Sequence, residues 1–106
     1  MAAHVPTLDG HLREAIARKR LIRFRYHGSV RVAEPHDYGV NNAVVRVLVY
    51  QLRGQTTTPG KKVRGWRMLD VEKIEECALL EETFPGSRSG SHQQHVAWDV
   101  LYARVA

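Results

Sequence analysis

The sequence predicts a small, mainly β (α+β) fold: a five-stranded barrel with a helix at each end. Three observations carry this prediction. Residues Ala43 to Arg53 form the longest apolar run and are rich in valine, the mark of a strand buried on both faces. Residues 21–26, LIRFRY, alternate, placing Ile22, Phe24 and Tyr26 on one side and Leu21, Arg23 and Arg25 on the other. Leu8, Leu12, Ala15 and Ile16 fall at i, i+4, i+7 and i+8, one apolar face of a helix. A strand that is apolar on both sides needs cover on both sides, so the long run takes the middle of a small closed barrel or covered sheet.

Taken in order, the chain opens with a lead-in over residues 1–6, and Thr7 or Asp9 is placed to cap the first helix. Arg18, Lys19 and Arg20 follow at its end, where cations complement the helix dipole. A second strand, Val30 to Glu34, follows the LIRFRY strand. A two-residue loop of His27 and Gly28 would set Phe24 opposite Arg31 and mix the faces. A three-residue loop, His27-Gly28-Ser29, pairs Tyr26 with Val30 and Phe24 with Val32, and keeps the apolar face together. Pro35 is expected to end that strand. The segment HDYGVNN is turn-rich and leads into the long strand, and GQTTTPGKK after it is a polar loop. Arg64 to Leu69 is the next strand, Asp70 to Lys73 a one-turn connector, and Ile74 to Thr83 the last barrel strand. A one-turn connector between the fourth and fifth strands is a feature of SH3-like barrels.

Phe84 to Ser91, FPGSRSGS, has the composition of a linker. Beyond it, Trp98, Leu101, Tyr102 and Val105 follow a helical spacing, while Val96, Trp98, Val100 and Tyr102 follow period 2. Ala97, Leu101 and Ala103 favour a short amphipathic helix. The expected organisation is a barrel domain with its N-terminal helix over 1–84, a linker over 85–91 and a docking helix over 92–106.

One chain of 106 residues, 43% hydrophobic and 25% charged, has room for one compact core. Its apolar runs are too short for a membrane helix, and its N-terminus lacks the pattern of a signal peptide. The expectation is a cytoplasmic protein with no membrane partner. Cys77 is the single cysteine, so neither an intramolecular disulfide nor a cysteine metal site is expected. The net charge of +5 suits an anionic partner.

No catalytic pattern is visible. Ser29, Ser87, Ser89 and Ser91 lie in turns or linker, the glycines form no phosphate loop, and Cys77 has no obvious histidine and acid partners. His92 and His95 suit one helix face, but two histidines make a weak metal signal. The reading is therefore not an enzyme, with no metal and no cofactor. The candidate site is a cationic and aromatic cluster: Arg46, Arg64, Trp66, Arg67 and Lys73. Arg46 stands inside an apolar strand, where a charge needs an anion, a carboxylate or an exit to water. Arg67 would approach Arg46 if their strands pair in a suitable register. Arginine presents a fork to phosphate or carboxylate, and Trp66 offers a stacking surface for a base.

The helix LREAIARKR, the IRFRY strand, the VAEP strand end and the block Arg64 to Ile74 together resemble the WYL domain, a bacterial family of SH3-like (Sm-like) barrels. The resemblance spans about Leu12 to Phe84. Trp66 takes the family's Phe position, Arg67 its Arg position, and Lys73-Ile74 its Arg-Ile position. The name-giving tripeptide falls on Val45-Arg46-Val47, with none of its residues kept. The resemblance implies a ligand-sensing module for transcription regulation, binding a nucleotide-like or single-stranded nucleic-acid ligand. WYL domains usually follow a helix-turn-helix, and one helix before the barrel leaves no room for it here, so DNA contact would come from a regulator partner or from the barrel. The competing expectation is an assembly module, a homo-oligomer acting through the C-terminal WDVLYARV segment.

Overall fold

The computed structural model describes residues 7–54, 62–88 and 96–106. Helix α1 (Leu8–Arg18) is followed by strands β1 (Arg20–Tyr26), β2 (Ser29–Asn41), β3 (Val44–Gly54), β4 (Gly65–Asp70), β5 (Glu75–Thr83) and β6 (Val100–Arg104), with a single 3₁₀ turn, Val71–Lys73, before β5. The fold is mainly β, one N-terminal helix on an antiparallel sheet. Thr7 caps α1, its hydroxyl accepting from the Gly10 N–H at 3.0 Å, and Lys19 ends it in the left-handed region. Leu12, Ala15 and Ile16 are the buried face, the stripe that the spacing predicts.

The sheet runs β4-β3-β2-β1-β5, and β6 pairs with β2. The second strand does not stop at Pro35. It runs for 13 residues and absorbs Pro35 at a register shift between Pro35 and Asp37, a bulge where a missing N–H is tolerated. The turn-rich HDYGVN is strand as well, and Asn42 and Ala43 alone form the turn, both at positive φ. One long edge of β2 pairs with β3; the other pairs with β1 in its first half and with β6 in its second. Although β1 and β4 are two strands apart in the sheet, the sheet curls so that the Tyr26 hydroxyl accepts from the Asp70 N–H at 3.0 Å.

The C-terminal segment differs from the expected helix. Val100 to Arg104 is a strand, the sixth, and α1 is the α-helix among the described residues. The second half of β2 offers an unpaired edge, and a row of backbone hydrogen bonds there outweighs the weak helix preference of five residues. Gly39 admits the approach: a Cβ there would sit 2.1 Å from the Val100 carbonyl oxygen. The segment before it is docked too. Gly86 is buried, the Ser87 N–H donates to the Ala106 oxygen at 3.0 Å, and Arg88 is held by Glu34. Most of the polar loop after β3, Ser89 and Ser91 of the linker, and both His92 and His95 lie outside the described residues.

The first hairpin also departs from expectation. Tyr26 pairs with Ser29 and Phe24 with Arg31, so the loop is His27-Gly28, both at positive φ. That is the two-residue type I′ geometry, whose twist matches the strands. A slip of one residue exchanges faces, so Arg31 joins Ile22, Phe24, Tyr26 and Ala33 on the core side, and Val30 is turned out to solvent.

Nine consecutive residues of β2, Arg31 to Gly39, are buried. The C-terminal segment supplies partners for two of their charges: Arg88 for Glu34, and Arg104 for Asp37 at 3.1 and 3.2 Å. Arg104→Ala removes a charge-assisted pair from a fully buried carboxylate and should lower the unfolding free energy by about 1–3 kcal/mol, read by urea titration with an unchanged m-value.

Candidate anion site

The site is built around the arginine that the hairpin turns inward. Arg31 is 3% exposed. Its Nη2 donates to the Tyr26 carbonyl at 3.3 Å, and its guanidinium lies 5.4 Å from the Tyr26 ring centre. Among the described residues its buried Nε–H has no acceptor, and no carboxylate lies within ion-pair distance of it. Burial first, and then the charge of Arg67, make its charged form harder to hold and lower its pKa, yet a guanidinium stays protonated at neutral pH. A charge desolvated without a counter-charge is among the costliest groups a core can hold.

Arg67 shares this face. Val49 pairs with Arg67, Gln51 with Gly65 and with Ala33, and Ala33 lies on the same side of β2 as Arg31. The Arg67 Nη1 donates to the Trp66 carbonyl at 2.9 Å, and Nη2 donates to the carbonyls of Lys62 and Val63. These bonds fold the side chain back over Gly65, where a Cβ would sit 3.0 Å from Nη1; Gly65 has φ +152° as well, which suits glycine. The buried Arg67 Nε–H, like that of Arg31, has no acceptor among the described residues. Lys62 and Arg64 flank the hook, exposed and without carboxylate partners among the described residues. The arrangement is two inward guanidinium groups with unused Nε–H donors, and two cations on the surface beside them.

The residues singled out from sequence divide between this place and another. Arg64 and Arg67 belong here. Arg46 pairs with Asp70, three positions along β3 from the partner of Arg67, and the odd spacing puts the two arginines on opposite faces of the sheet. Arg46 donates from Nε to Asp70 at 3.0 Å and from Nη1 to Asn41 at 2.8 Å, and Lys73 reaches the same carboxylate at 3.5 Å. A carboxylate thus satisfies the charge inside the apolar run. Trp66 pairs with Tyr50 on the face away from Arg67, edge-on to Tyr50 and to His36 with ring centres 5.2 and 4.8 Å apart. Arg31 was not among the candidates. The signal for it is the two-residue His27-Gly28 loop, which sets Phe24 opposite Arg31 and which face-matching disfavours because it mixes apolar and charged residues on one face.

A second polar cluster lies on the Trp66 face. Arg88 grips Glu34 through two bonds of 2.8 Å and stacks 3.7 Å from the Tyr50 ring centre. The His36 Nε2–H donates to Glu34 at 3.0 Å, since an ionised carboxylate only accepts. Burial opposes the Glu34 charge, but hydrogen bonds and charges from Arg88 and His36 outweigh it and hold the carboxyl below its ordinary pKa. Burial also depresses His36, more than Glu34 restores it. Every charged group here has its partner, so the cluster reads as the lock of the C-terminal segment.

Elsewhere the chemistry is quiet. Burial pushes the Cys77 thiol up to about 11, leaving it protonated and a weak nucleophile at neutral pH. Among the described residues no three His, Cys, Asp or Glu side chains gather as metal ligands, and no helix is long and apolar enough to cross a membrane. No protein-family model matches the chain, and searches of curated proteins and of solved structures find no match.

Two outcomes test this account of the charges. Arg31→Met replaces an uncompensated buried cation by an apolar chain of similar length and should stabilise the ligand-free protein, by about 1–4 kcal/mol, read as a higher Tm. The pH dependence has a definite sign. His36 and Glu34 both have folded pKa values below the ordinary 6.5 and 4.5, so the unfolded chain binds more protons at these positions in acid. Their contribution is complete above about pH 6.5 and is lost as pH falls, His36 first and Glu34 below about pH 4.5. His36→Gln should flatten the upper part of this decline in a Tm-against-pH series.

Proposed function

We propose that the chain is a non-enzymatic, ligand-binding regulatory module that takes an anionic ligand on Arg31 and Arg67. The observation that carries this is the pair of buried, unpartnered Nε–H donors on two guanidinium groups that meet no carboxylate at ion-pair distance among the described residues. The contrast within the molecule supports it. Eight arginines have a carboxylate at ion-pair distance. Of the four that do not, Arg31, Arg64 and Arg67 belong to this one place. The resemblance to WYL domains points the same way, because Arg67 stands at the family's arginine position and the ligands implied there are nucleotide-like or single-stranded nucleic acid. On this reading the curled sheet is an SH3-like (Sm-like) barrel, the setting is the bacterial cytoplasm, and a regulator partner supplies DNA contact.

The test is equilibrium titration with inorganic phosphate, a nucleotide and a short single-stranded oligonucleotide at two salt concentrations. Binding should weaken with salt, as phosphate contacts do. Arg67→Ala should lose about tenfold or more, from one charge-assisted hydrogen bond of about 1.5–3 kcal/mol, while Arg46→Ala, on the other face, should bind as the wild type does. The reading fails if no anion binds at low salt, or if binding survives the loss of Arg67.

One observation favours a second reading, an assembly module. Val100, Leu101 and Tyr102 on β6 are 51%, 40% and 37% exposed, a run of large apolar side chains that a soluble monomer seldom shows. Light scattering across a concentration series decides it: a dimer that Leu101→Asp dissociates supports assembly, and a monomer at every concentration ends it.

A further inference from the structure

We infer that the Arg31–Arg67 site takes a terminal phosphoryl group, as free phosphate or a phosphate monoester, and discriminates against an internal phosphodiester. The inference rests on the reading of these two residues as an anion site.

Charge is the first argument. Arg31 and Arg67 carry two fixed positive charges, and neither meets a carboxylate at ion-pair distance. The ligand must supply the balance beside the buried Arg31, where unmatched charge is expensive. A phosphate monoester carries about −1.5 to −2 at pH 7. A phosphodiester or a carboxylate carries a single negative charge and leaves one guanidinium unbalanced.

Access is the second argument. Arg31 is 3% exposed, and its Nε–H lies below the surface, so an acceptor must descend to it. A terminal phosphoryl group presents three oxygens on one side and a single ester link on the other. An internal diester carries a substituent on each side, so its oxygens cannot lead the way to a buried donor. The half-buried Arg67 stands nearer the surface, and the exposed Lys62 and Arg64 raise the local concentration of anions.

Donor geometry is the third. Three of the four Nη hydrogens of Arg67 go to the carbonyls of Lys62, Val63 and Trp66, which fixes the guanidinium and leaves Nε–H and one Nη1–H. Arg31 places one Nη2 hydrogen on the Tyr26 carbonyl, and its buried Nε–H finds no acceptor among the described residues. A lysine at position 67 would keep the charge but lose both the anchoring fork and the directed Nε–H.

The experiment is calorimetric titration of the full chain with four probes: inorganic phosphate, a nucleoside 5′-monophosphate, the 3′,5′-cyclic diester of the same nucleoside, and the unphosphorylated nucleoside. The expected result is that the first two bind and the cyclic diester and nucleoside are at least tenfold weaker; the ratio of the first two tells free phosphate from an ester. Arg67→Lys should weaken the monophosphate tenfold or more without lowering Tm by more than a few degrees. A cyclic diester within tenfold of the monophosphate overturns this inference and leaves the anion site standing. Unchanged affinity in Arg67→Lys overturns the donor assignment. No binding by any phosphate overturns both the inference and the reading beneath it.

Discussion

The structure depends on how β2 keeps charged groups buried. Nine residues in a row on that strand, Arg31 to Gly39, are inaccessible, and Arg31, Glu34, His36 and Asp37 are among them. Each such group costs free energy unless it finds a partner. The C-terminal segment answers most of the demand. Arg88 comes down on Glu34, Arg104 on Asp37, and the Val105 N–H on the His36 carbonyl at 2.8 Å. The bulge at Pro35–Asp37 lets carboxylates three residues apart both turn toward that segment. Chain far from β2 in sequence is thereby stapled to it, and β6 completes the edge that β1 leaves uncovered.

Arg31 is the exception to this economy. It stacks on Tyr26 and donates one bond to a carbonyl, and the charge of Arg67 that bears on it has the same sign. A sequence shaped for stability alone would place an apolar residue opposite Phe24. Proteins hold uncompensated groups at functional sites and offset the cost elsewhere, and on the proposed reading an anion at Arg31 and Arg67 would remove that cost on binding. The same physics makes Arg46 a structural residue: its guanidinium is answered by Asp70 and Asn41, and adding an anion there would compete with a pair already made.

Much of the architecture was legible from periodicity. The α1 stripe, the long apolar β3, the RGWRML strand and the one-turn connector stand where spacing and turn residues put them. The misses share a cause. Pro35, the HDYGVN segment and the C-terminal residues were read by local preference, and each was overruled by pairing with a distant strand, which single-sequence periodicity does not see. The hairpin register was missed for the opposite reason. Face-matching assumes that the inner face is apolar throughout, and here that face includes an arginine. Of the candidate site, Arg64 and Arg67 were visible as cations flanking a tryptophan. Arg31 was hidden because the rule that finds strands treats a charge as outward. The parity separating Arg46 from Arg67 depends on a register that composition does not encode.

The most direct test of the central claim is an NMR titration of the arginine Nε–Hε resonances with inorganic phosphate at low salt. The account predicts that two resonances, assigned by Arg31→Met and Arg67→Lys, move together along one saturating curve, while those of Arg46, Arg88 and Arg104, held by carboxylates, stay in place. Movement of the exposed arginines in proportion to phosphate, with Arg31 and Arg67 unmoved, would contradict it.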